Sequence, residues 1–170
     1  MLDFPSDHDK TRCWDKNFTV EIGAGLDSAC YTSCYTDGSK TTHGSGAGVC
    51  LIRGDKVIKT RAYGLSKHTT VFQSELHAIK MATSIIRDCI APGELINIMC
   101  DSQAALRALE NVDIKSKVAL ETIQALNSLG KDYTVSLHWI KAHVNHKGNE
   151  MADTGENRMH TESERSGASQ

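Results

Sequence analysis

The apolar side chains first change their spacing near residue 71, and that change limits the possible folds more than any other feature. Before it, short β-prone runs are joined by tight turns: Cys30 to Thr36, broken at Asp37-Gly38-Ser39; Gly46 to Ile52; and Val57 to Tyr63 after the turn at Arg53-Gly54-Asp55. Runs of that length between turn residues predict an antiparallel meander. After it, Phe72, Leu76, Ile79, Ala82 and Ile86 recur at helical spacing from Val71 to Cys89, and Pro92-Gly93 closes the segment.

Leu95 to Cys100 has the length of a strand, and Asp101-Ser102 can cap a helix over Gln103 to Glu110. A further helix is predicted over Ile114 to Leu129, stopped by Gly130, and Tyr133, Val135, Leu137 and Trp139 alternate as a last strand. A short helix is expected over Asn149 to Arg158. Strands first joined by turns and then by helices make an α/β fold, a mixed five-stranded sheet with helices on its faces. Residues 1–29 lack a sustained period and read as a poorly ordered leader or linker. The domain is expected over 30–160, and the polar stretch 161–170 reads as a disordered tail.

At 170 residues, with 39% apolar and 24% charged content, the chain suits one domain. Its net charge of −2 gives no global basic field, so a nucleic-acid partner would have to meet a local patch. The six cysteines include several inside apolar runs, and neither a signal peptide nor a membrane span stands out. An intracellular location, cytoplasm or nucleus, with reduced cysteines is the simplest expectation.

Four carboxylates fall at the ends of these elements. Asp37 ends the first strand of the meander and Asp101 ends the strand after the first helix; if those strands are parallel neighbours, both emerge at one carboxyl edge. Glu75 is one turn into the first helix, and Asp153 follows Asn149-Glu150. Clustered carboxylates repel unless cations neutralise them, and sparse oxygen ligands suit Mg²⁺. Taken singly, Asp37-Gly38 is also an ordinary turn and Asp101-Ser102 an ordinary helix cap. Gly44 to Gly48 lacks the Gly-Lys-Ser/Thr ending of a phosphate loop, and Cys30, Cys34, His143 and His146 lack zinc-type spacing.

The blocks Tyr35-Thr-Asp-Gly-Ser39, Phe72-Gln-Ser-Glu-Leu-His-Ala78, Cys100-Asp-Ser-Gln-Ala104 and Trp139-Ile-Lys-Ala-His-Val-Asn-His-Lys-Gly-Asn-Glu-Met-Ala-Asp153 resemble, in order and interval, the type-one ribonuclease H family. The resemblance is greatest to the ribonuclease H domains of non-LTR retrotransposons and covers roughly residues 31 to 158. It implies the ribonuclease H-like fold and a two-metal-ion endoribonuclease acting on the RNA strand of RNA–DNA hybrids, with 5′-phosphate and 3′-hydroxyl products. The implied cofactor is a pair of Mg²⁺ ions, replaceable by Mn²⁺. Asp37 would bridge the ions, Asp153 would serve the ion on the attacking-water side, and Glu75 and Asp101 the ion on the leaving-oxygen side. His143 would assist proton transfer or product release, as a group titrating near neutrality can. Gly38, Ser39, Ser102, Gln103 and Lys141 are the implied substrate contacts, with Lys40, Lys115, Lys117 and Lys147 as further bases.

The chain departs from the family pattern at Ala142, where glycine is usual, and at Val71 and Phe72, where polar residues are usual; Thr154-Gly155 interrupts the last helix. The implied setting is a monomer or part of a reverse-transcriptase polyprotein, with no membrane partner. A binding module that keeps the fold without turnover is the alternative.

Overall fold

The structure, a computed structural model, describes residues 16–23, 32–111 and 114–142. In chain order the elements are β1 (Phe18–Glu21), β2 (Thr32–Lys40), β3 (Ser45–Arg53), β4 (Lys56–Leu65), α1 (Val71–Cys89), β5 (Leu95–Cys100), α2 (Gln103–Glu110), α3 (Lys117–Leu129) and β6 (Thr134–Trp139). The strands form one mixed sheet in the order β1-β6-β5-β2-β3-β4. β2, β3 and β4 are the expected antiparallel meander, and β2, β5, β6 and β1 run parallel. The expected helix over 149–158 lies outside the described residues.

Among the described residues the sheet has six strands where the sequence predicts five. The extra strand, β1, lies within the segment read as a leader. It is four residues long, too short for alternation to show, and its pairing is with β6, Phe18 opposite Val135 and Glu21 opposite His138. Side chains around it fix it in place. Lys16 donates through Nζ to the carbonyl of Leu109 at 2.5 Å, and the Asn17 amide N–H donates to Asn127 Oδ1 at 2.9 Å. Phe18 is buried in the main core, and a methyl group on Gly130 would lie 2.6 Å from Asn17 Cβ.

A second difference concerns β2, which runs through Asp37-Gly38-Ser39 to Lys40 instead of breaking there. The antiparallel neighbour carries it on, pairing Asp37, Gly38 and Ser39 with Gly48, Ala47 and Gly46. Gly38 is therefore not a turn glycine. A methyl group at that position would collide with the backbone nitrogen of Glu75 and lie 2.6 Å from the carbonyl carbon of Ser74, so glycine is what lets α1 lie directly on β2.

Each described helix begins at a side-chain cap. Thr70 and Gln73 form a reciprocal capping box at the start of α1, and Ser102 and Ser116 accept from the third amide of α2 and α3. The Ser116 cap is why α3 begins at Lys117 and not at Ile114. All three helices contribute to one cluster with Cys34, Val49, Leu51, Ile96, Ile98, Val135 and Leu137, so they pack on one face of the sheet. Tyr35, Cys50 and Met99 form a separate buried cluster on the opposite face.

Candidate active site

The site lies where two parallel strands reach their carboxyl ends. The last parallel pair of β2 and β5 is Thr36 with Cys100, and the next residue of each strand is an aspartate, Asp37 and Asp101. Parallel neighbours in register deliver consecutive residues to the same edge, which is the physical content of the expectation that they meet. Both aspartates are half-buried. α1 descends onto this edge over Gly38 and brings Glu75, which is only 4% exposed.

Asp101 and Asp37 lie close enough for their charges to act on the buried Glu75. Burial first, then the charges of Asp101 and Asp37, push the Glu75 carboxyl up to about 9 from its ordinary value of 4.5. The Gly38 backbone N–H donates to Glu75 and opposes the shift, whereas a hydrogen bond shared between the side chains of Glu75 and Asp101 adds to it. At neutral pH Glu75 is thus held protonated until a cation joins the group. Ligand atoms of Glu75, Cys100 and Asp101 all lie within 4.8 Å of one another. Burial above all holds the Cys100 thiol well above its ordinary range, so it is not offered as a thiolate. The donors available are carboxylate oxygens, the set a hard divalent cation takes, and the residues present fit such an ion.

Supporting contacts fix the aspartates. The Trp139 indole Nε1–H donates to the backbone carbonyl of Asp101 at 3.1 Å, and the Thr36 hydroxyl donates to the Met99 carbonyl at 2.9 Å across the β2–β5 pair. The alternation from Tyr133 to Trp139 gives Trp139 a place on a strand and no role at the site. Trp139 does pack against the core, but its polar edge also holds the Asp101 backbone, and the signal for this was the donor that any partly buried indole must satisfy.

Of the other expected contacts, Gly38 is buried under α1, Ser39 is half-buried one residue further along β2, and Gln103 is exposed at the start of α2. The Ser102 hydroxyl accepts from the Ala105 amide, which gives it a capping role. Lys141 is exposed two residues past the end of β6, on the same edge as Asp101. Lys40 and Lys115 are exposed, and Lys117 lies 3.9 Å from Glu121. Asp153, His143, Glu150 and Lys147 lie outside the described residues. Phe72, one turn before Glu75, lines an open groove of about 710 Å³ with Ala108, Ile114, Lys115 and Ala119.

A meander continued by parallel strands, with carboxylates gathered at the parallel edge beneath the first helix, is the ribonuclease H-like fold. The ribonuclease H family model matches residues 30–158, and the chain belongs to that family as a ribonuclease H enzyme. It is 30% identical over 139 residues to the ribonuclease H of Cupriavidus metallidurans, an alignment covering 73% of this chain and 91% of that protein. The crystal structure of ribonuclease H1 from the halophilic archaeon Halobacterium salinarum superposes with a TM-score of 0.60 at 20% identity, covering 78% of this chain and 98% of that one. At that identity the likeness is one of fold.

Proposed function

We propose that this chain hydrolyses the RNA strand of RNA–DNA hybrids with two Mg²⁺ ions, leaving 5′-phosphate and 3′-hydroxyl ends. The observation that carries the reading is Glu75, 4% exposed, with its ligand atom within 4.8 Å of that of Asp101 and close enough to Asp37 for both aspartate charges to act on it. A fold does not spend a buried, repelling carboxylate cluster on packing, because each group costs desolvation without a counter-charge. Asp37, Glu75, Asp101 and Asp153 would hold the ions. When bound, the ions neutralise charge on the attacking and leaving oxygens of an in-line displacement at phosphorus.

The chain's own residues do the rest. The Gly38 N–H orients the Glu75 carboxylate, and the Trp139 indole keeps the Asp101 backbone from turning away. Lys141, exposed on the same edge, would meet substrate phosphate, and the half-buried Ser39 and exposed Gln103 would contact the bound strands. His143 takes or returns a proton as water adds to phosphorus and the bond to the 3′ oxygen breaks. Selectivity for a hybrid over duplex DNA comes from contacts to 2′-hydroxyls and duplex shape.

The retrotransposon-type resemblance rests on the four motif blocks and extends the proposal to a reverse-transcribing element, with the domain acting as a monomer or within a polyprotein. The proposal extends to an intracellular, reducing setting, in which the described cysteines Cys34, Cys50, Cys89 and Cys100 stay free as they are here. No described helix is long and apolar enough to cross a membrane.

The test is cleavage of a labelled RNA–DNA hybrid with Mg²⁺, with EDTA and Asp101→Asn as controls. Loss of a ligand should cost more than the roughly 10–100-fold that losing a ligand's supporting partner costs. RNA-strand cuts that vanish in both controls support the proposal. A folded protein that cuts nothing with Mg²⁺ or Mn²⁺ overturns it in favour of a binding module.

A further inference from the structure

Between Arg53 and Tyr63 the chain carries Arg53, Lys56, Lys59 and Arg61 against a single acid, Asp55, although the whole chain has a net charge of −2. These residues lie on or next to β4, the outer strand of the sheet. The register decides where they point. Lys59 pairs with Leu51, Arg61 with Val49 and Tyr63 with Ala47, and Leu51 and Val49 belong to the core beneath the helices. Paired residues share a face, so Lys59, Arg61 and Tyr63 stand in one row on the helix-bearing face, along the flank of α1.

The row has a direction. β4 is antiparallel to β3, and β3 to β2, so β4 runs toward the same edge as the carboxylates. Tyr63 is level, through Ala47, with Gly38, the residue after Asp37. Two strand spacings put it about 10 Å from the site, with Arg61 and Lys59 following at steps of about 6.7 Å. Arg53 is paired with Glu94, but among the described residues no carboxylate forms an ion pair with Lys59 or Arg61. Tyr63 is 40% exposed, one of few large apolar side chains so placed among the described residues.

Cations on an edge strand often serve only to discourage strand addition from other chains. That role explains neither their alignment on the sheet face nor an exposed aromatic ring in the same row. Cations that track a phosphate backbone, interrupted by a ring on which a base or sugar can stack, are what a nucleic-acid groove needs.

We propose that Lys59, Arg61 and Tyr63 form a track that holds the substrate's backbone beyond the cleaved segment. The nature of the ligand rests on the hydrolase reading above. The track supplies the local positive surface that a chain of negative net charge needs to grip nucleic acid.

The test measures binding and cleavage separately on the full chain. A fluorescent RNA–DNA hybrid long enough to extend about ten base pairs past the site at either end is titrated by anisotropy in EDTA over a salt series. A hybrid spanning only the site is the control. Lys59→Ala/Arg61→Ala should weaken binding of the long hybrid about 5- to 20-fold and reduce the salt slope by about 2, one per phosphate contact. The short hybrid should be unaffected. Tyr63→Ala should lose several-fold and Tyr63→Phe little, and Lys59→Arg/Arg61→Lys should restore the slope. In Mg²⁺ the alanine pair should raise KM for the long hybrid with kcat retained. An unchanged affinity and salt slope overturns the track. Wild type that binds with this salt dependence but never cuts overturns the hydrolase reading and leaves the track standing.

Discussion

Glu75 gathers the energetics of the site into one side chain, and its titration has a definite sign. A carboxyl whose folded pKa is about 9, against 4.5 when unfolded, makes the folded state the stronger proton binder between those values. Stability in EDTA should therefore be complete below about pH 4.5 in this respect and decline as pH rises toward 9. Glu75→Gln should flatten that decline and raise metal-free stability at pH 7 by about 3 kcal/mol, read by denaturant melts across the window. In the wild type, added Mg²⁺ should recover stability most at the alkaline end, with proton release on binding. A variant that melts with the wild-type pH dependence would place the strain elsewhere. Trp139 offers a milder probe. Trp139→Phe keeps the ring in the core but removes the donor to the Asp101 carbonyl, and should lower kcat about tenfold with the melting transition near its wild-type position.

At the scale of elements, the decisive contact is α1 lying on β2 with no side chain between them at Gly38. Gly38→Ala drives a methyl group into the Ser74–Glu75 backbone, and since neither strand nor helix backbone can yield cheaply, the cost should be about 2–4 kcal/mol. Because the same shift moves Glu75, activity should fall further than the stability loss explains, which comparing turnover with melting of the same sample would show.

This contact also marks how far the sequence could be read. The period change at Val71, the cap-bounded helices and the alternation into Trp139 were visible because each is local. The meeting of Asp37 with Asp101 was readable as well, because it needs only that their strands be parallel neighbours. The path of β2 through Asp37-Gly38-Ser39 was not, since turn chemistry and close helix approach both select glycine there. β1 was hidden for a different reason: Phe18–Glu21 is too short for periodicity, and its partner β6 is more than a hundred residues away.

For the whole molecule, β1 is the outer strand of the described sheet, beside β6. Phe18→Ala, emptying a position that is 7% exposed, should cost about 2–4 kcal/mol in a denaturant melt, a large share of a domain's total stability. β1 is short, and its exposed Thr19 and Glu21 make it a poor platform for further strands. β6 beneath it is longer and runs the full register of β5 on its other side. A chain begun at residue 30, where the family match begins, would leave the outer row of β6 amides and carbonyls open. Such a row recruits strands from neighbouring molecules, so the shortened protein should self-associate and precipitate with rising concentration, while the full chain does not. Light scattering of the two at matched concentrations would decide it. Lys16 to Glu21 would then act as a built-in stopper, a few residues that keep the catalytic sheet from polymerising with its own copies.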